Sequence, residues 1–268
     1  TTRRPSACSQ VRLQDMRLTV ALTLLAASDA AWWSKPADDC EATPVVLSYF
    51  NIRGRAEAIR LALYDQGIAF VDTTFEGDEW GKAKPDGLKA NMTAAGKLAF
   101  GQVPLLEIDG LSLVQSMTIM RYLGRTRGGW YKGSAAALAR IDVLADGTED
   151  VRKKLGAIAY AEVSDEAKGA SLANYFAEPT EASLWLGYLN KLVATSTTRF
   201  AASSPDATHA DYLLLDLLDY HDYLVGYYKV DATKMDEVMK KMPALRKWRK
   251  MIVGRPRLKA YLEGPNRR

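Results

Sequence analysis

A small α/β unit followed by an all-α unit is the architecture the sequence predicts, and three observations predict it. From Val45 the chain reads strand, helix, strand, with a loop carrying Arg53 between the first strand and the helix. Asp109-Gly110 stands between two short apolar runs and signals a tight hairpin. Beyond Gly128-Gly129 the strand signals nearly vanish and helical periodicity takes over.

Each element follows in order. Val45 to Phe50 reads as a strand that delivers Tyr49 to its end. Arg55 to Asp65 reads as a helix with Ala56, Ile59 and Leu63 on one face, and Gly67 stops it. Ala69 to Thr73 is the second predicted strand. Glu76 to Gly101 is polar and Gly-punctuated, with room for one or two helical turns. Val103 to Ile108 and Leu111 to Val114 form the hairpin, and Ser116 opens a helix through Arg125. The order β-α-β-(α)-β-β-α is that of the thioredoxin-like fold, a small mixed sheet with helices on its faces. Helices are then predicted over Ala135 to Ala161, Glu181 to Thr195, Asp211 to Gly226, Lys234 to Lys240 and Pro243 to Val253. Thr208-His209-Ala210-Asp211 is a capping box at the head of the third of these. The expected division is a leader over 1–44, a thioredoxin-like domain over 45–127 and an all-helical domain over 134–265.

Composition narrows the function. The 268 residues are 48% apolar and 25% charged, the balance of a globular protein with a sizeable core. A formal charge of +4 without a basic stripe or groove-reading motif argues against nucleic-acid binding. Cys8 and Cys40 both precede the first strand, so neither a disulfide framework nor a thiol nucleophile is expected in the folded body. With His209 and His221 the only histidines, a Cys/His zinc site is excluded and a Ser-His-Asp triad is disfavoured. His221, in an apolar helix, reads as a hydrogen-bonded packing residue, and His209, inside the cap, as solvated. Residues 16–31 combine a basic start, a short apolar run and small residues, which resembles a secretory signal peptide. The run is too short to span a bilayer. A secretory or organellar location follows if it is such a signal, and a cytoplasmic one otherwise.

Five segments together carry a family resemblance. They are Tyr49-Phe50-Asn51-Ile52-Arg53-Gly54-Arg55-Ala56-Glu57; Gln102-Val103-Pro104-Leu105-Leu106 with Gln115-Ser116; Arg140 to Leu144 through Tyr160; the Thr208 capping box; and Pro256 to Leu262. In this order they resemble the glutathione transferases of the tyrosine type, the sigma and mu classes most closely, over about residues 45 to 265. The resemblance implies a homodimeric transferase that binds glutathione in its first domain and a small hydrophobic electrophile against its second, without a metal or a membrane span.

It also implies roles. Tyr49 would donate its phenol hydroxyl to the glutathione sulfur, with Arg55 assisting. The bond before Pro104 would be cis, turning the Val103 backbone toward the cysteinyl part of the ligand, with Gln102 beside it. Gln115 and Ser116, at a helix N-terminus, would hold the γ-glutamyl carboxylate, and Ser116 would also serve as N-cap. Trp80 and Lys84, four apart on a helical turn, would hold the glycyl carboxylate, with Lys82 and Lys89 as competitors. Asp142, Asp146 and Asp150 repeat at helical spacing; a solvated face explains two, and Asp150 would reach the γ-glutamyl ammonium of the partner's glutathione. Tyr160 is either a core residue or a donor facing the electrophile.

The expected activity is conjugation of the glutathione thiolate to electrophiles, a detoxification chemistry. A glutathione-dependent isomerase of the prostaglandin D synthase type and a non-catalytic binding or structural relative are the alternatives. A thiol–disulfide enzyme of the omega type would need Cys at position 49. The electrophile itself stays open, as does the choice between a lid and an inert insertion for Pro85 to Gly101.

Overall fold

The first strand is buried on both faces, as a strand with neighbours on each side must be. It is β1 (Val46–Phe50), at an inner position of a four-stranded sheet of order β2-β1-β3-β4. The computed structural model describes residues 44–81, 86–177 and 181–268. β2 (Val71–Phe75) runs parallel to β1, with Val46 opposite Val71 and Phe50 opposite Phe75. It begins two residues later than the apolar pattern suggested, because it is an edge strand with an alternating, half-exposed face. β3 (Leu105–Ile108) and β4 (Leu111–Val114) complete the sheet antiparallel. Their turn has φ of 52° at Asp109 and 72° at Gly110, the two positive values a tight hairpin needs.

Helix α1 (Glu57–Gln66) follows a 3-10 turn at Gly54–Ala56 and ends on Gly67 in the left-handed region. The short α2 (Gly77–Trp80) and α3 (Leu88–Ala94) lie between β2 and β3, and α4 (Ser116–Thr126) follows β4. The helical half comprises α5 (Ala135–Ala159), α6 (Asp165–Phe176), α7 (Glu181–Ala194), α8 (His209–Tyr227), α9 (Thr233–Lys240), α10 (Pro243–Val253) and α11 (Pro256–Leu262). Helix α6 was absent from the sequence expectation. Gly169, Ser171 and Asn174 weaken its periodicity, while its signal lay in the Ser164 cap, whose hydroxyl accepts from the Ala167 N–H. The expected leader, residues 1–44, lies outside the described residues save for Pro44.

Helix α8 is the core of the second half and packs on α1, α5 and α10. α1 also meets α11, so the two halves share one continuous apolar core. Arg60 of α1 is fully buried and pairs with Asp72 while donating to the carbonyls of Ile52 (2.9 Å) and Arg53 (3.3 Å). It therefore pins the loop that follows β1.

Both histidines are fully buried, which corrects the reading of His209 as solvated. The cap it belongs to is itself buried, and its ring packs edge-on against Tyr131 at 5.0 Å. His221 donates from Nδ1 to the Leu217 carbonyl, so its Nε2 accepts from the Tyr175 hydroxyl at 3.1 Å. Burial pushes both imidazoles down to about 4. Above about pH 6.5 they are neutral in both folded and unfolded chains. As pH falls from there toward 4, the unfolded chain takes up protons that the folded chain refuses, and stability is lost. Each histidine contributes up to about 3 kcal/mol to that loss. Urea midpoints are expected to drop steadily between pH 6.5 and 4, and less so in His221→Gln. Midpoints level across that range would contradict neutral burial.

Candidate functional site

Strand direction gathers the predicted site at one edge of the sheet. β1 and β2 end there, β3 starts there and β4 ends there. Tyr49 and Phe50 close β1, and Trp80 follows β2, its ring 5.5 Å from that of Phe50. Val103-Pro104 precedes Leu105, which pairs with Ser48, and Gln115-Ser116 follows Val114, which pairs with Leu105.

Tyr49 is 6% exposed, and its ring lies against Gly54. A Cβ at Gly54 would stand 2.6 Å from the Tyr49 hydroxyl oxygen, and Gly54 has φ of 45°. Both facts restrict this position to glycine. The Arg55 backbone N–H donates to the Tyr49 oxygen at 3.0 Å. Among the described residues no acceptor takes the Tyr49 O–H, so its proton is free for a ligand. Burial raises the phenol above its ordinary value, with the Arg55 N–H pulling it back. Tyr49 is thus a neutral donor at physiological pH. The Arg55 guanidinium is held by Glu149, so it is the peptide of Arg55 that touches the phenol.

Of the residues expected to hold the glycyl carboxylate, Trp80 and Lys89 lie among the described residues. α2 stops at Trp80, and Gly81 leaves it in the left-handed region with φ of 57°. Lys84, and its competitor Lys82, lie outside the described residues. Trp80 is buried and stacked on Phe75. Lys89, on α3, sets its ammonium 6.0 Å from the centre of the Trp80 ring. Its chain passes Gly101, where a Cβ would meet Cε at 3.3 Å, next to the exposed Gln102.

The Val103–Pro104 bond is cis. Among the described residues the Val103 N–H and C=O make no hydrogen bond, leaving a short main-chain edge unpaired. Gln115 has φ of 70° and ψ of 107°, which costs a non-glycine residue about 1–3 kcal/mol. It occupies the cap position of α4, so Ser116 is the first helical residue rather than the N-cap. The first N–H groups of α4 and the Ser116 hydroxyl lie together at this helix start.

Helix α5 supplies the opposite wall. Asp142 and Asp146 share Arg121, and Asp142 also accepts from Tyr131 at 2.6 Å, so a cation between them offsets the expected repulsion. Asp150 faces outward, its side chain 56% exposed and paired with Lys153 at 3.3 Å. Tyr160 ends α5 and is 76% exposed, which removes the core reading. It lines a cavity of about 560 Å³ between the 51–54 loop and helices α5, α6 and α8. Sequence reading missed the far wall, where Tyr220, Tyr223 and Tyr227 of α8 succeed one another with stacked rings. It also missed Arg152, which lies 4.8 Å over the Tyr220 ring. The spacing of those tyrosines on one helical face was visible but is shared by ordinary core residues.

Among the described residues no group of three or more His, Cys, Asp or Glu side chains is placed to hold a metal ion. Among them, too, no helix is long and apolar enough to cross a membrane.

Two family descriptions match the chain: "Glutathione S-transferase, N-terminal domain" over residues 45–125 and "Glutathione S-transferase, C-terminal domain" over 149–265. Glutathione S-transferase P 10 of Caenorhabditis elegans is 34% identical over 220 residues, spanning 81% of this chain and 90% of that one. Glutathione S-transferase P 1 of Xenopus laevis is 30% identical over 223 residues, spanning 83% and 93%. The solved structure of the Onchocerca volvulus Pi-class glutathione S-transferase superposes with a TM-score of 0.65 at 27% identity, covering 82% of this chain and 93% of that one. These relatives carry Pi-class names rather than the sigma or mu names the five segments suggested.

Proposed function

Since the chain belongs to the glutathione S-transferase family and is a glutathione transferase, we propose that Tyr49 activates the thiol of bound glutathione for attack on small hydrophobic electrophiles. The observation that carries this reading is the Tyr49 hydroxyl, which accepts from the Arg55 N–H and keeps its own proton unassigned. A free thiol with pKa near 8.5 is mostly protonated at neutral pH, and the thiolate is the nucleophile. A neutral phenol donating to the sulfur stabilises the charged form. A shift of about two units needs roughly 2.7 kcal/mol, within reach of one charge-assisted hydrogen bond and its surroundings.

The rest of the tripeptide is accounted for along the same edge. The unpaired Val103 main chain receives the cysteinyl backbone in the manner of an added strand. Ser116, Gln115 and the first N–H groups of α4 take the γ-glutamyl carboxylate. Lys89 beside Trp80, rather than Lys84, takes the glycyl carboxylate. Asp150, pointing away from its own site, serves the γ-glutamyl ammonium of a second subunit, so the active form is a homodimer. The electrophile occupies the tyrosine-lined cavity, where Tyr160 donates to an oxyanion as it develops.

The test is retention on immobilised glutathione together with conjugation of a chloronitrobenzene. Retention with elution by free glutathione, and turnover that saturates in both substrates, are expected. Retention without turnover would leave a binding protein and remove the catalytic reading.

A further inference from the structure

We infer that Arg152 and Asp216 form a positioning pair that tunes Tyr49 through the peptide bond between Gly54 and Arg55. The inference rests on the reading of Tyr49 as thiol activator. One Arg152 guanidinium nitrogen binds Asp216 of α8, and another donates to the Gly54 carbonyl at 2.8 Å. The N–H of that same peptide unit donates to the Tyr49 oxygen at 3.0 Å. A chain of four groups therefore runs from a buried carboxylate through a guanidinium and an amide to the phenol. Arg152 and Asp216 are both buried, and the Arg152 guanidinium carbon lies 4.8 Å from the centre of the Tyr220 ring, so the cation has little freedom to leave.

The direction of the effect follows from polarity. A cation on a carbonyl oxygen draws electron density from the amide and makes its N–H a stronger donor. A stronger donation to the phenol oxygen makes the phenol O–H more acidic and a better donor to sulfur. Asp216 moderates the cation when ionised; burial pushes its carboxyl up to about 7, so the moderation is strongest above that pH. Arg152 reaches the phenol through space as well, pulling its pKa down in the same sense. Arg55 and Tyr160 also act on the phenol, and Glu57, Asp219 and Arg55 act on Asp216; all of them are kept in the variants below, so they bear equally on every comparison.

Two variants test the pair. Arg152→Gln with Asp216→Asn removes both charges together, leaving no unpaired buried ion. Asp216→Asn alone keeps a hydrogen-bond acceptor for Arg152 but removes the moderating charge. Each is compared with wild type by titrating the ultraviolet absorbance of the bound thiolate, by the pH profile of kcat/KM, and by the Kd of S-methylglutathione. The double variant is expected to raise the bound thiol pKa by about half a unit, an approximately three-fold loss of thiolate at low pH. Asp216→Asn is expected to lower it by a few tenths. The Kd of the methylated ligand should stay within two-fold in both. A purely structural role would move both variants the same way.

A bound thiol pKa unchanged in either folded variant, or shifts of one sign in both, would overturn the inference. Asp216→Asn, nearly isosteric, decides alone if the double variant does not fold. Tyr49→Phe is run beside them. If it leaves the thiol pKa unchanged, the Tyr49 reading fails; if it shifts the pKa while the pair variants do not, only the relay fails.

Discussion

Replacing Tyr49 by phenylalanine is expected to lower kcat/KM at neutral pH by roughly 10- to 100-fold while leaving the fold intact. The magnitude is that of one hydrogen bond to a charged group, about 1.5–3 kcal/mol. The ring stays, so its packing against Gly54 and Phe50 is kept. What is lost is the proton that no acceptor among the described residues claims and the oxygen that the Arg55 N–H binds. The pH dependence gives the prediction its sign. Burial holds the phenol above its ordinary value, so wild type presents a neutral donor throughout the neutral range. Without that donor the bound thiol returns toward 8.5, and the variant recovers as pH rises through that value. Steady-state kinetics from pH 6 to 9 and thiolate absorbance of the complex measure both. A variant with wild-type kcat/KM at neutral pH, or a deficit that persists at pH 9, would sink the assignment.

Why Tyr49 was legible while its partners were not has a physical answer. A strand end followed at once by a helix exposes its last side chains wherever it occurs, so the position of Tyr49 could be read from pattern. So could the Asp109-Gly110 turn, because few residue pairs tolerate two positive φ angles. The partners depend on distance across the fold. The hydroxyl of Tyr49 is held by a backbone N–H, which no residue identity reveals. Lys89 stands on α3, nine residues beyond Trp80, and its approach to the Trp80 ring is a contact across the fold that counting along the chain does not reveal. The α8 tyrosines lie at spacings that serve a core as well as a cavity, and only the position of α5 across from them decides. His209 looked solvated because caps usually are, yet this cap is enclosed by Tyr131 and the chain around Ala201.

That enclosed cap carries the largest expected effect on stability: Asp211→Ala should cost about 3–5 kcal/mol. The fully buried Asp211 carboxylate closes the α8 capping box by accepting from the Thr208 N–H at 2.9 Å and its hydroxyl at 3.0 Å. Its other oxygen accepts from the Ala201 N–H and from Trp248 Nε1, both at 2.8 Å. One side chain thus ties the start of α8 to the preceding loop and to α10. Burial pushes the carboxyl up, and these four hydrogen bonds pull it back. Alanine would leave two main-chain donors and an indole N–H buried without acceptors, each costing about 1–3 kcal/mol. Asparagine keeps one oxygen for Ala201 and Trp248 but turns an amide toward the Thr208 N–H, so it should lose about half as much. Against a total stability of about 5–15 kcal/mol, the alanine variant approaches the unfolding threshold. Urea midpoints give the comparison, and an alanine variant within 1 kcal/mol of wild type would contradict it. Because α8 also carries Asp216 and Tyr220, activity should fall with the folded fraction while KM for glutathione in the surviving molecules stays unchanged.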